Sequence, residues 1–311
     1  MGFKIVHLTR PCKISIETSN LKLHFYDDAS EVKVTLKDID FILFDNTQFS
    51  ITGKTLHLLS KNNIATLFID ENYHPSAILT PYHQHSTMSE IAYTQVALAY
   101  DFKSYVWQQI IKAKVTNQAN VLGFLEIEGS QELLGIVQKI EEYDANQDEA
   151  QAARLYWKAL FRMQTFRREQ GSEDIINVML NYGYAIIRAC VAREVSASGM
   201  LPVFGIWHKN KYNAFALVDD LMEPFRPICD LYVKLLLNYK YHNANNLSTN
   251  IKRDLISLLN SDVVILNDGI STLITAIGIS VQRYKKAMMQ EDTEQLVFPS
   301  INYIKFRDEF F

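Results

Sequence analysis

Glu149, His208 and Glu223 are side chains of the right types to share one divalent cation, although they lie far apart along this 311-residue chain. Carboxylate oxygens suit Mg²⁺ or Mn²⁺, and an imidazole nitrogen in the set tilts the preference towards Mn²⁺. Each residue also has a plainer reading. Glu149 fits a solvated carboxylate in the first turn of a helix, favoured there by the helix dipole. Asp220 and Glu223 have the spacing of a capping box with Asp220 as the cap, and on spacing alone that is the better account. His208 fits an ordinary hydrogen-bonded histidine. The metal reading rests on the combination.

Local sequence indicates what must position these groups. Glu149 opens DEAQAARLYWKALF, residues 148 to 161, a run of helix formers without Gly or Pro. Ala152 and Ala153 lie three and four positions on, share its face, and leave room for an ion. Arg154, Lys158 and Arg162 recur every four residues as a basic stripe, which Arg167 and Arg168 extend. Five basic and no acidic residues between 150 and 168 suit a phosphate-binding surface, or simply a solvated face. Gly199, Pro202 and Gly205 take the chain out of the preceding helix, so His208 belongs to a loop. Pro224 and Pro227 are tolerated only in a first helical turn, which starts the next helix near Asp220 with Glu223 at its N-terminal end.

The wider pattern is that of an α+β protein with two domains. Up to about residue 70, apolar residues alternate with polar ones (Ile14 and Ile16; Leu21, Leu23 and Phe25; Val32, Val34 and Leu36), which predicts half-buried strands joined as hairpins. The continuous apolar runs Phe41 to Phe44 and Ala65 to Ile69 predict strands covered on both faces. Leu56 and Leu59 indicate one short helix between Thr52 and Lys61. We therefore expect an N-terminal β-sandwich with one short helix over residues 1–75, a linker over 76–86, and a C-terminal all-α domain over 87–311. Its helices are expected at roughly 87–117, 118–142, 147–169, 173–197, 220–240, 247–259 and 269–289.

Bulk composition narrows the function classes. With 48% hydrophobic and 21% charged residues the chain is globular, not disordered. Cys12, Cys190 and Cys229 form no CxxC pair and no even-numbered framework, which argues against a disulfide scaffold or cysteine-ligated zinc. No secretion signal or run of ~18 uninterrupted apolar residues is evident, so a soluble cytoplasmic protein without a membrane partner is expected. The net charge of −4 is unfriendly to nucleic acid, and neither part is basic: residues 1–86 hold 8 basic and 9 acidic side chains, the remainder 23 and 26. Any phosphate-binding surface must be local.

Five segments, in order, resemble the CRISPR-associated spacer integrases, the Cas1 family. They are KAKVTNQANVL at 112 to 122, Glu149 followed by AQAARLYW, LNYGYA at 180 to 185, Gly199, Pro202, Gly205 and His208, and DLMEPFRP at 220 to 227. The resemblance spans essentially the whole chain. It implies a β-sandwich followed by a helical catalytic domain, with Glu149, His208 and Glu223 as ligands of Mg²⁺ or Mn²⁺ and Asp220 as an accessory carboxylate that orients His208 or assists a proton. It further implies a homodimer, two such dimers bridged by a Cas2 dimer, double-stranded protospacer and repeat DNA as substrates, and, for a type II system, an effector and accessory adaptation proteins. The last ligand is often Asp in this family. Glu223 departs from that in side-chain length, and Glu is familiar among type II relatives.

The reaction so implied is a transesterification, in which a protospacer 3′-hydroxyl attacks a phosphodiester at the leader-repeat boundary of a CRISPR array. Arg154, Lys158, Arg162, Arg167 and Arg168 are the candidate DNA contacts, which position a duplex without reading its sequence. Two other classes fit the same residues: a metal-dependent nuclease for branched or single-stranded DNA, and a non-catalytic scaffold for DNA ends. Tyr182 and Tyr184 suggest a tyrosine recombinase, but a helical domain also buries tyrosines. His83 and His85, two apart before the helical domain, are weak candidates for metal or DNA.

Overall fold

The computed structural model describes residues 4–70, 75–79, 86–141, 145–161, 166–169, 171–265 and 269–301. The chain divides into two compact units, Met1–Ser86 and Thr87–Phe311.

Unit 1 carries eight strands, one α-helix and one 3-10 turn (Leu36–Asp38) among its described residues: β1 (Lys4–Leu8), β2 (Cys12–Glu17), β3 (Asn20–Phe25), β4 (Glu31–Thr35), β5 (Ile39–Phe44), β6 (Phe49–Ile51), α1 (Gly53–Lys61), β7 (Ala65–Ile69) and β8 (Pro75–Leu79). They form two four-stranded sheets, ordered β1-β5-β7-β8 and β4-β3-β2-β6. The predicted hairpins are present: β2 pairs antiparallel with β3, and β3 with β4. Thr18 and Ser19 both take positive φ in the two-residue β2–β3 turn, whose backbone twist matches the flanking strands. The continuous apolar runs become β5 and β7, which pair in parallel as inner strands of their sheet. Cys12, Ile14, Leu21 and Leu23 from one sheet and Val6, Leu8, Ile42 and Phe44 from the other share one buried cluster. Val32 stays exposed because β4 is an edge strand. The expected linker is corrected in part: β8 occupies its first half and pairs antiparallel with β7.

Unit 2 is dominated by helices: α2 (Met88–Ala97), α3 (Tyr100–Phe124), α4 (Ser130–Val137), α5 (Ala145–Phe161), α6 (Ile175–Ala197), α7 (Ala216–Met222), α8 (Arg226–Tyr239), α9 (Thr249–Ser257) and α10 (Leu273–Gln290). The expected all-α character needs correction. Strands β9 (Asp262–Ile265), β10 (Gly269–Thr272) and β11 (Ser300–Ile301) form a small antiparallel sheet in the order β10-β9-β11. Helix boundaries also shift. The first long helix breaks at Ala99, whose backbone is extended, and α3 then runs unbroken to Phe124. α7 starts at Ala216 rather than near Asp220, and a 3-10 turn, Glu223–Phe225, links it to α8. That turn and the first turn of α8 accommodate Pro224 and Pro227, whose missing N–H groups cost nothing there. α6 is long and apolar enough to cross a bilayer, but 67% of its apolar window is buried inside the fold, as in a core helix.

Candidate metal centre

Glu149, in the second turn of α5, and Glu223, at the α7–α8 junction, both reach Lys114 on α3. The lysine Nζ lies 2.6 Å from Glu149 Oε1 and 2.5 Å from Glu223 Oε2. Ala152 is fully buried one turn beyond Glu149, as a small neighbour on its face should be. Asn117, one turn beyond Lys114, donates to the carbonyls of Pro224 and Pro299, each at 2.9 Å. α3 thus supplies both the cation between the glutamates and a clamp on the backbone beside Glu223. Glu223 is buried, and its other oxygen, Oε1, pairs with Arg226 Nε at 3.0 Å. Burial alone would raise its carboxyl pKa, but Arg226, Lys114 and His208 outweigh burial and hold it below the ordinary carboxylate range. For Lys114 the same competition has the opposite sign. Burial would lower the ammonium pKa, and Glu223 and Glu149 more than offset that and raise it.

His208 is placed by the excursion between α6 and α7. Gly199 takes φ 78° after the C-terminus of α6, where Met200 N donates to Val195 O, so a left-handed residue closes the helix. Gln95 of α2 holds the next residue through both backbone groups of Leu201. At Gly205 an added Cβ would lie 2.5 Å from the His208 carbonyl and 3.1 Å from Asp220 Oδ2, so only glycine fits. Asp220 is fully buried and accepts from Trp207 N at 2.9 Å through Oδ2 and from His208 Nδ1 through Oδ1. The buried Trp107 stacks on Trp207 and meets the His208 ring edge-on, with centroids 5.2 Å apart. Arg188 and Asn213 both donate to Asp219, fixing the start of α7.

With Nδ1 engaged by Asp220, Nε2 is the imidazole nitrogen available to a ligand. Asp220 raises the His208 pKa first through their hydrogen bond and then through charge. Glu223 and Glu149 add to the rise, and partial burial opposes it. Both glutamates therefore act on the imidazole as well as on Lys114. The capping-box alternative is overturned: Asp220 lies inside α7 and bonds the histidine loop instead of a helix N-terminus.

The donor set suits a hard divalent cation: two carboxylates, one approached by Arg226, and an imidazole fixed by Asp220. Glu223 Oε2 supports the fit. It is buried and accepts no hydrogen bond of proper angle, Lys114 meeting it as an ion pair only. Among the described residues no three His, Cys, Asp or Glu side chains form a ready-made metal cage, and the Lys114 ammonium lies against both glutamates.

Behind this centre lies a second buried carboxylate that the sequence did not reveal. Asp230 on α8 accepts from Tyr156 of α5 at 3.1 Å and from Tyr184 of α6. Burial raises the Asp230 pKa to about 7, despite the hydrogen bonds from Tyr184 and Tyr156 that favour the carboxylate. Tyr184 is thereby committed to structure, buried and donating to an acid, which disfavours a phosphotyrosine nucleophile. Lys114 and Asn117 are further omissions. Their signal was present in KAKVTNQANVL, where they lie three apart on one helix face.

The basic stripe divides. Arg154, Lys158 and Arg167 are exposed. Arg168 turns inward, donating to Asn177 and Asn181 and lying over the Tyr184 ring. Arg162, His83 and His85 lie outside the described residues.

The chain is a mixed α+β protein whose helical unit brings two glutamates onto one lysine, beside a histidine held by a carboxylate. It belongs to the Cas1 family: the family model described as CRISPR associated protein Cas1 matches residues 6–262, which confirms the expectation from the motifs. The chain is 31% identical to the CRISPR-associated endonuclease Cas1 of Neisseria meningitidis serogroup C (strain 8013) over 294 residues, covering 94% of each protein. Its fold is similar to that of a casposase bound to integration product, with TM-score 0.75 and 21% identity over 97% of this chain and 93% of the other. It is also similar to a chain of a Cas6-RT-Cas1–Cas2 complex, with TM-score 0.71 and 18% identity over 94% of this chain and 36% of the other.

Proposed function

We propose that this chain is a divalent-metal-dependent DNA integrase, which joins protospacer 3′-hydroxyl ends to the leader-repeat boundary of a CRISPR array. The observation that carries the reading is the convergence of Glu149 and Glu223 on one largely buried cation, beside a histidine that Asp220 orients. Glu149, Glu223 and His208 Nε2 would hold Mg²⁺ or Mn²⁺, which supplies positive charge at the scissile phosphate and lowers the attacking hydroxyl's pKa. Asp220 fixes the imidazole through Nδ1. Arg226 keeps Glu223 ionised and turned towards the site. In the joining step a P–O bond forms to the incoming 3′-oxygen and the target's own 3′-oxygen leaves. The incoming hydroxyl releases its proton and the departing oxygen takes one up.

The casposase bound to integration product supports DNA as the substrate, and the Cas6-RT-Cas1–Cas2 complex supports Cas2 as the partner. We read the working form as a homodimer, two of which a Cas2 dimer bridges, in the cytoplasm. Glu223 in place of Asp points to a type II system. The test combines the protein and its cognate Cas2 with short duplexes and a supercoiled array plasmid, with and without Mn²⁺. Joined products that need both the ion and a free 3′-hydroxyl are expected; cleavage without joining would make the protein a nuclease instead. Exposed Arg154 and Arg167 should position DNA through phosphate. Each change to Ala is expected to weaken binding uniformly across sequences and lower the log–log salt slope by about 1, measured by titration at several salt concentrations. An unchanged slope removes them from the interface.

A further inference from the structure

Lys114 fits neither a surface lysine nor a DNA contact. Its ammonium is largely buried, and its two ion-pair partners are the carboxylates assigned above to a metal. Two carboxylates brought onto one point repel unless a cation stands between them. Lys114 is that cation in this structure. Its chemistry suits that role, because a compact charge on a flexible four-carbon stem can withdraw, whereas the planar fork of Arg226 holds Glu223 through its other oxygen.

We propose that Lys114 is a built-in counter-ion of Glu149 and Glu223, which a divalent cation must displace, so that this lysine sets the metal affinity of the site. The inference rests on the metal-dependent reading and adds a competition to it. An entering cation gains only the difference between its own attraction to the glutamates and that of the ammonium. In return it meets two carboxylates already drawn together. Lys114 is thus a positioning residue, and its effect should appear in metal binding before any DNA is present.

The experiment measures Mn²⁺ bound by the full-length protein, counting free Mn²⁺ by electron paramagnetic resonance, for wild type, Lys114→Met and Lys114→Arg. Lys114→Met is expected to bind Mn²⁺ about tenfold more tightly, the loss of one partly screened charge from the competition. Its melting temperature should lie below wild type without metal and draw level at saturating Mn²⁺. Lys114→Arg, which keeps the charge, should stay near wild-type affinity. If Lys114→Met does not fold, Lys114→Gln, which keeps an N–H donor without charge, is read in the same way. Affinity that is unchanged or weaker in the neutral variant overturns the proposal. If the wild type binds no Mn²⁺, or Glu149→Gln leaves its binding intact, the metal reading itself fails, which distinguishes the two failures.

Discussion

Glu223 and Asp230 lie seven residues apart on one stretch of chain, both buried, and the fold treats their carboxyl groups in opposite ways. Glu223 meets Arg226 and Lys114, and its pKa is held below normal. Asp230 meets two neutral hydroxyls, and burial raises its pKa to about 7. Neighbouring cations can offset the cost of burying a carboxylate, whereas tyrosine hydroxyls relieve only part of it. The first arrangement keeps the carboxylate charged. The second ties α5, α6 and α8 together with a group that takes up a proton near neutrality. Glu149 and Tyr156 share α5, so the pinning site also fixes the helix that presents Glu149.

The largest expected effect is on the charged site. Glu149→Gln keeps size and removes one charge, and it is expected to lower DNA joining by at least about 100-fold, as loss of a principal electrostatic contact to a transition state does. Circular dichroism should show an unchanged fold. Joining that persists would detach Glu149 from the chemistry and reduce the glutamate pair to a structural ion pair.

Asp230 provides the next test, read as stability. Its folded pKa of about 7 lies above the ordinary 3.8, so between those values the folded protein holds a proton that the unfolded chain has released. Stability from this group is therefore full at acid pH and is lost as pH rises towards 7. Asp230→Asn removes the titration. Between about pH 5 and about pH 8, wild type should lose about 2 to 3 kcal/mol relative to the variant in urea denaturation. Parallel curves for the two proteins would make Asp230 an ordinary ionised carboxylate and erase the contrast with Glu223.

How far this arrangement could be foreseen depends on the range of the interactions involved. The hairpins of unit 1 and α5 were legible because alternation, turn residues and an unbroken run of helix formers are local signals. Glu149, His208 and Glu223 were legible through motif order. The break at Ala99 was not, because no Gly or Pro marks it. The strand Asp262–Ile265 falls in the connection between two expected helices and was not foreseen, because four residues are too few to show a period. Asp220 was only half legible: D-x-x-E has the same spacing whether Asp caps a helix or reaches out to a histidine loop, so spacing favoured the cap while the family resemblance gave the role beside His208. Lys114 and Asp230 sit in helices, where a charged residue normally faces water. That Asp230 is buried and Lys114 largely so follows from contacts as distant as Tyr156 and Glu223.

A smaller effect is expected at Asp220, which serves the charged site without touching its cation. Asp220→Asn keeps one acceptor for Trp207 N but removes the charge that orients His208. Mn²⁺ affinity or joining should fall about 10- to 100-fold, in keeping with loss of the carboxylate behind a ligating histidine. The imidazole pKa should fall too, since Asp220 is the main cause of its rise, and a proton NMR titration would show it. An unmoved titration would mean that the hydrogen bond does not hold the ring.

The finest test asks whether the two hydroxyls of the pinning site act on Asp230 as hydrogen-bond donors or only as packing. Both Tyr184 and Tyr156 favour the carboxylate form, so Tyr184→Phe or Tyr156→Phe should move the Asp230 titration upward from about 7. Each change should cost about 1 kcal/mol near neutral pH, the usual worth of one buried hydrogen bond, and less at acid pH where the carboxyl is neutral. Mn²⁺ affinity should stay at the wild-type value in both variants, because neither hydroxyl reaches Glu149, His208 or Glu223. A shift in metal affinity on loss of one distant hydroxyl would show that the two buried carboxylates work as one coupled unit, not as separate solutions to burial.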